Sequence, residues 1–189
     1  MIKVTLKDGS VKEFPAGISA YEAAKEISMG LARNACAAKI NGKNADLRDT
    51  LNEDCELEIL TFDDEYGKWT FRHTASHIMA QAVKRLYPDA RLAIGPAVDD
   101  GFYYDFDVET KFTPEDLAKI EAEMKKIVKE DIKLERSYKS RNEAVEYFKE
   151  KNEPYKVELA EDMPEGEDIS FYTQGEFTDL CAGAHLMST

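Results

Sequence analysis

IKVTLKDGSVKEFPAGISAYEAAKEI (Ile2–Ile27) contains two short runs of alternating apolar and polar residues, IKVTL and VKEF, on either side of Asp8-Gly9. An Asp-Gly step between alternating runs is a strong hairpin signal, because the glycine accepts the positive φ that a tight hairpin turn needs. Behind the second run, SAYEAAKEI opens on a serine suited to cap a helix. ACAAKI, the turn NGK and CELEIL then supply further strands, up to Thr61. A hairpin, a helix and more strands within residues 1–61 describe a small β-grasp, ubiquitin-like module, a kind of unit that binds more often than it catalyses.

The acidic, glycine-containing stretch TFDDEYGK (Thr61–Lys68) interrupts this pattern and marks a domain boundary, leaving residues 62–189 as a larger second domain. That domain mixes both periodicities. WTFRHTASHIMAQAVKRLY (Trp69–Tyr87) reads as a helix. ARLAIG and GFYYDFD read as strands around a turn at Asp100-Gly101. TPEDLAKIEAEMKKIVKE has Thr113 as its cap, Pro114 at the first helical position and Asp116 beyond. IKLERSY alternates as a strand, and SRNEAVEYFKEK carries the capping pair Ser140 and Glu143. YKVEL, ISFYTQ and FTDLC close the reading as strands. The expected class is therefore α+β, with a mixed or antiparallel sheet and flanking helices in the second domain.

The chain has only three histidines, and two of them, His73 and His77, lie four apart in the helix at 69–87. At about 100° per residue, Ala75, Ile78, Met79, Ala82, Val83 and Leu86 share a core-facing stripe, with the two histidines about 180° from its centre. They are expected to face away from the core, towards a cleft. The third histidine repeats the spacing: Cys181 and His185 bracket CAGAH, with Gly183 suited to a tight turn. Three histidines and one cysteine are the complete soft-ligand inventory of residues 62–189 and match a tetrahedral zinc site in type and number. Structural zinc and hydrolytic chemistry both remain open at this point. Asp179 lies two residues before Cys181, on the same face of an extended strand, where a carboxylate orients an imidazole or binds a cationic group. Lys156 is the lone basic residue of 152–189, among nine acidic ones, and is suited to an anion or a substrate oxygen. Of Tyr103 and Tyr104, alternation sends only one towards the core.

The formal net charge of −13 argues against long-range attraction to nucleic acid by this chain alone, since phosphate binding rests on clustered Lys and Arg. Three cysteines, Cys36, Cys55 and Cys181, with no CxxC spacing indicate reduced thiols, not a disulfide framework. With no apolar run long enough for a membrane span and no secretory leader pattern, the expected location is the cytoplasm.

HTASH, AIGPAVDDGFYYDFD, EPYKVEL and DLCAGAH stand in an order and spacing that resemble the N-terminal region of the bacterial threonyl-tRNA synthetase family, over nearly the whole chain. The HxxxH and CxxxH pair is also shared with alanyl-tRNA synthetase editing domains. The leading β-grasp module and the GFYYD context favour the threonyl family. The resemblance implies a TGS module over 1–61 and an editing domain over 62–189 that hydrolyses the ester of serine misattached to the threonine tRNA. It implies a catalytic set of His73, His77, Asp179, Cys181 and His185, with Lys156, Tyr104 and Gly95 binding substrate. Within that set, His73 and His77 are expected at the water or ribose, Asp179 at the substrate amino group and Lys156 at a substrate oxygen or the 3′ terminus. Metal-free hydrolysis is expected, with zinc as an opportunistic ligand. The family often has Arg-Gly-Pro between the cysteine and the last histidine, where this chain has Ala182, Gly183 and Ala184, so a looser loop and a lost nucleic-acid contact are expected. The aminoacylation core is absent. The chain reads as an N-terminal fragment with weak tRNA affinity, whose full synthetase is a homodimer through the missing domains; a free-standing trans-editing protein is the next reading. A zinc-stabilised binding module and a β-grasp interaction protein are the non-catalytic alternatives.

Overall fold

The computed structural model describes residues 1–189. Two compact units emerge: Met1–Arg72 with Gly183–Met187, and His73–Ala182 with Ser188–Thr189.

In the first unit, β1 (Ile2–Leu6) and β2 (Val11–Phe14) form the expected antiparallel hairpin, and Gly9 holds the left-handed φ of +82° that its turn requires. The short β3 (Ile18–Ser19) leads into α1 (Ala20–Ile27), which starts on a full capping box between Ser19 and Glu22. A short α2 (Met29–Asn34) follows. Then come β4 (Ala37–Ile40), β5 (Lys43–Ala45), β6 (Thr50–Leu51) and β7 (Cys55–Leu60). The sheet order is β2-β1-β7-β4-β5, with β1 and β7 parallel and the other pairs antiparallel. Ala20 and Ala23 of α1 pack on Ile2, Val4, Ala38 and Leu57 of this sheet, with Phe14, Leu47 and Leu51 completing the core. A helix lying across a mixed sheet is the β-grasp arrangement read from the sequence.

Glu65–Leu86 forms a single helix, α3, and the division into units falls within it. It begins inside the stretch TFDDEYGK, so Gly67 is a helical residue there and not a loop one. The reason is space: a Cβ at Gly67 would lie 1.9 Å from the carbonyl oxygen of Thr61, which is backbone. That carbonyl is fixed by the turn before α3, where Asp64 accepts from the Thr61 amide at 2.8 Å. We expect Gly67→Ala to cost about 2 kcal/mol or more, read as a lower urea midpoint with an unchanged slope; an unchanged midpoint would show that the turn gives way freely.

In the second unit, β12 (Leu134–Lys139), β13 (Ile169–Gln174) and β14 (Phe177–Leu180) form an antiparallel sheet. Ahead of it come four two-residue strands: β8 (Arg91–Leu92), β9 (Ala97–Val98), β10 (Gly101–Phe102) and β11 (Phe106–Asp107). They pair as β8 with β11 and β9 with β10. GFYYDFD is thus two short strands around an irregular Tyr103–Asp105, not one strand. α4 (Pro114–Glu130) has the predicted cap at Thr113, and α5 (Arg141–Glu150) the predicted box at Ser140 and Glu143.

YKVEL is a helix, α6 (Pro154–Glu161), and not a strand. Alternation over five residues does not distinguish the two states; Pro154 at the first helical position, and Lys156 and Ala160 buried one turn apart, decide for helix. Phe148, Ala144 and Ala160 of α5 and α6 pack on Phe171 and Leu180 of the sheet. Ile78, Ala82 and Val83 of α3 pack on Ile120 and Ile127 of α4, and Ala80 packs with Leu92, Tyr104 and Phe177. The middle of α3 is therefore covered on opposite sides.

Candidate functional site

α3 turns a polar stripe, His73, His77 and Gln81, towards β14 and the residue after it. His73 is 5% exposed and His77 3%. The expectation that these histidines face away from the core into a cleft is corrected here: the face opposite the apolar stripe is buried too. A central helix with neighbours on both sides buries both faces, and its polar residues must then find polar partners.

The partners come in order along the chain. Successive turns of α3 run against the direction of β14, meeting first the residue after it, then its first residue, and then the turn and strand before it. His73 Nε2 lies 2.8 Å from Cys181 Sγ. The His77 ring stands edge-on to Phe177, with centroids 6.0 Å apart, and to His73 at 5.4 Å. Gln81 Nε2 donates to Glu176 Oε1 at 3.0 Å, and Gln81 Oε1 accepts from Gln174 Nε2 at 2.7 Å.

Asp179, 1% exposed, is the charged centre of this unit. Its Oδ2 accepts from Tyr104 Oη at 2.6 Å and from Lys156 Nζ at 2.9 Å, while its Oδ1 has no hydrogen bond within the protein. Lys156 is 3% exposed and reaches Asp179 from α6, so its ammonium is already committed to the carboxylate. A buried pair of opposite charges survives only with close geometry and added hydrogen bonds, and the Tyr104 hydroxyl supplies one. Tyr104 is the core-facing member of the Tyr103–Tyr104 pair and Tyr103 is exposed, although the two lie in an irregular stretch and not on one strand. Gly95 abuts Tyr104: a Cβ there would meet the ring at 2.0 Å. The Gly95 carbonyl accepts from Ser76 Oγ at 2.8 Å, and Ser76 also lies 2.8 Å from the His73 carbonyl. Ser76 thus ties His73 to the irregular segment between β8 and β9 that carries Gly95. The sequence reading missed it, although its place between the two histidines was a signal.

Burial sets the protonation states. It pushes the His77 imidazole down to about 3, against the pull of Asp179, so the ring is neutral at physiological pH. Burial, reinforced by the charge of Asp179, pushes the Cys181 thiol well above its ordinary range. The same two causes raise the Tyr104 phenol and keep it a donor. The His77 shift has a stability consequence. Between pH 6.5 and about 3 the unfolded chain protonates this imidazole and the folded chain does not. Stability is then lost as pH falls through that window, by up to about 1.4 kcal/mol per pH unit, and is level above it. Urea unfolding at pH 7.5 and 5 should show a smaller acid loss for His77→Gln than for the parent; equal losses would refute the assignment.

His73, His77 and Cys181 each offer one ligand atom, all within 4.8 Å of one another, so the group can hold a metal ion. The His73–Cys181 separation of 2.8 Å is that of a direct hydrogen bond, whereas nitrogen and sulfur on one tetrahedral zinc stand about 3.5 Å apart. Zinc would have to open this pair and take the thiol's proton. The remaining ligand-type residue, His185, is fully buried and lies on Gly183–Met187, the segment that packs with the first unit. Its amide donates to Asp46 Oδ2 at 3.2 Å. Gly183 has a φ of +115°, a left-handed value that favours glycine.

Comparison with known proteins places these features in a family context. The TGS domain family matches residues 2–61. The threonine–tRNA ligase of Acetivibrio thermocellus is 64% identical over all 189 residues, which cover 30% of that protein. Those of Clostridium acetobutylicum and Clostridium botulinum are likewise 64% identical over the full chain and covered to 30%. The chain spans about a third of the length of these relatives. Along its whole length it is homologous to the N-terminal part of threonine–tRNA ligases.

Proposed function

We propose that this chain hydrolyses the ester bond of serine misattached to the tRNA for threonine. The observation that supports this most is Asp179: a buried carboxylate with one oxygen held by Tyr104 and Lys156 and the other without a hydrogen bond in the protein. An aminoacyl ester carries an ammonium beside its carbonyl, and that group complements the open oxygen. In this reading Lys156 positions Asp179 and does not bind substrate oxygen directly, which revises the role expected from the sequence.

The reaction needs a water positioned and deprotonated at the ester carbonyl, and a proton returned to the departing ribose oxygen. His73 takes the water's proton as the carbon–oxygen bond forms, and gives it to the ribose oxygen as the ester bond breaks. His77, with its proton affinity lowered, is a poor base; it orients the water or the ribose hydroxyl by a hydrogen bond. Cys181 fixes the ring of His73, and His185, four residues further on, is the fifth member of the set. The need for such a step is chemical: a synthetic site rejects a substrate lacking one methylene by only about 10–200-fold.

The full-length relatives' ligase name supports tRNA as the partner, and no helix of the chain is long and apolar enough to cross a membrane. We place the protein in the cytoplasm, divided into a TGS domain over 1–61 and an editing domain over 62–189. Hydrolysis proceeds without a required metal in this reading. The second reading, a zinc-stabilised binding module, is favoured by the proximity of the three ligand atoms of His73, His77 and Cys181. One experiment separates the two: rates on threonine-accepting tRNA charged with serine or with threonine, with and without chelator, alongside elemental analysis. We expect faster loss of serine and no effect of chelator. Equal rates on both esters would overturn the specificity; stoichiometric zinc with no hydrolysis would favour the module.

A further inference from the structure

Within the first unit, the loop Asp46–Asp49 is built to hold backbone. The Asp46 amide donates to Asp49 Oδ2 at 2.9 Å, and the Arg48 amide to Asp46 Oδ1 at 2.7 Å. Leu47, fully buried, anchors the loop in the β-grasp core. Arg48 Nη1 donates to Asp46 Oδ1 at 3.0 Å and to the His185 carbonyl at 3.1 Å; Arg48 Nη2 donates to the Leu186 carbonyl at 2.7 Å. Asp46 Oδ2 accepts the His185 amide at 3.2 Å. The peptide units on both sides of His185 are thus held by one partly buried ion pair, and the packing of Ala184 on Ala37 and Leu60, and of Met187 against the β-grasp core, holds the flanks.

The hydrogen bonds from Arg48 and Asp46 to His185 and Leu186 are to main chain, so they fix the backbone there without reading its side chains. A guanidinium presents its donors in a rigid plane and reaches two successive carbonyls at once, which a lysine ammonium does not.

We propose that Arg48 and Asp46 are positioning residues for the hydrolysis, acting through the main chain at His185, which they fix. This rests on the reading of His185 as a member of the hydrolytic set. It also accounts for a loop that tolerates Ala182 and Ala184: rigidity that a proline would give from within the loop is given by Arg48 from outside it.

The test uses the full chain and a seryl ester of threonine-accepting tRNA. Arg48→Gln is expected to lower kcat about tenfold with KM within twofold of the parent, and Arg48→Lys to fall between them. Since the chain has three histidines, each imidazole can be followed by its ring ¹H–¹⁵N signals. Both variants should move the His185 signals and leave those of His73 and His77 in place. Parent hydrolysis with an unchanged kcat in Arg48→Gln would overturn the inference alone. So would a loss of kcat with all three histidines shifted together, the mark of general unfolding; should Arg48→Gln not fold, Arg48→Lys carries the same two readouts. A parent chain with no hydrolysis would instead overturn the function on which it rests.

Discussion

Asp179→Asn is expected to slow hydrolysis of the seryl ester at least about a hundredfold, equivalent to about 2.7 kcal/mol of transition-state stabilisation. Two losses combine. The amide has no charge for the substrate ammonium, and the Lys156 ammonium, 3% exposed and 2.9 Å from the lost charge, is left without its counter-ion. Tyr104→Phe keeps the carboxylate and Lys156 and removes only the 2.6 Å hydrogen bond, so it should cost less, about tenfold. His73→Ala should match or exceed the aspartate variant, since it removes the proposed base together with the partner of Cys181 Sγ. Rates are read under single turnover on protein whose far-ultraviolet spectrum matches the parent. A rate within threefold of the parent for both Asp179→Asn and His73→Ala would sink the assignment of this unit as a hydrolase.

The largest expected change in stability is at Glu153, away from the proposed chemistry. Glu153 is buried, and it accepts from Lys84 Nζ at 2.8 Å and from the Leu92 amide at 2.7 Å. Lys84 also donates to the carbonyls of Pro88 and Ala90, just beyond the end of α3. One carboxylate therefore joins the end of α3, the start of β8 and the entry to α6. Glu153→Ala strands a partly buried ammonium and a buried amide, and should cost about 3 kcal/mol. Glu153→Gln keeps an acceptor for Leu92 and should cost about half as much. Urea unfolding decides: a loss below about 1 kcal/mol would place the pair with ordinary surface ion pairs.

The features legible in the sequence are those that depend on near neighbours. The Asp8-Gly9 hairpin and the caps at Ser19, Thr113 and Ser140 occupy the places read from residues within a turn of each other. The paired four-residue spacings also drew His73, His77 and Cys181 together before any fold was in hand. The rest depended on the far side of a contact. Amphipathic analysis of α3 finds one apolar stripe and assigns the opposite face to solvent; it has no knowledge that β13 and β14 cover that face. Lys156 was read as a free cation in an acidic segment because its carboxylate lies 23 residues away on another element. Arg48 gave no signal of its reach to His185 and Leu186, since those partners are backbone atoms 137 and 138 residues distant. Ser76 and Gln81 looked like ordinary polar helix residues for the same reason.

The seam between α3 and β14 is ruled unevenly on its two sides. From His73 to His77 the helix advances about 6 Å, while their partners Cys181 and Phe177 are about 13 Å apart along an extended chain, and Asp179 falls between those partners in sequence. A one-residue deletion between Phe177 and Cys181 would turn the residues on one side of it to the opposite face of the sheet in a single event. New specificities at this seam are therefore open to exchange of side chains and closed to changes of length.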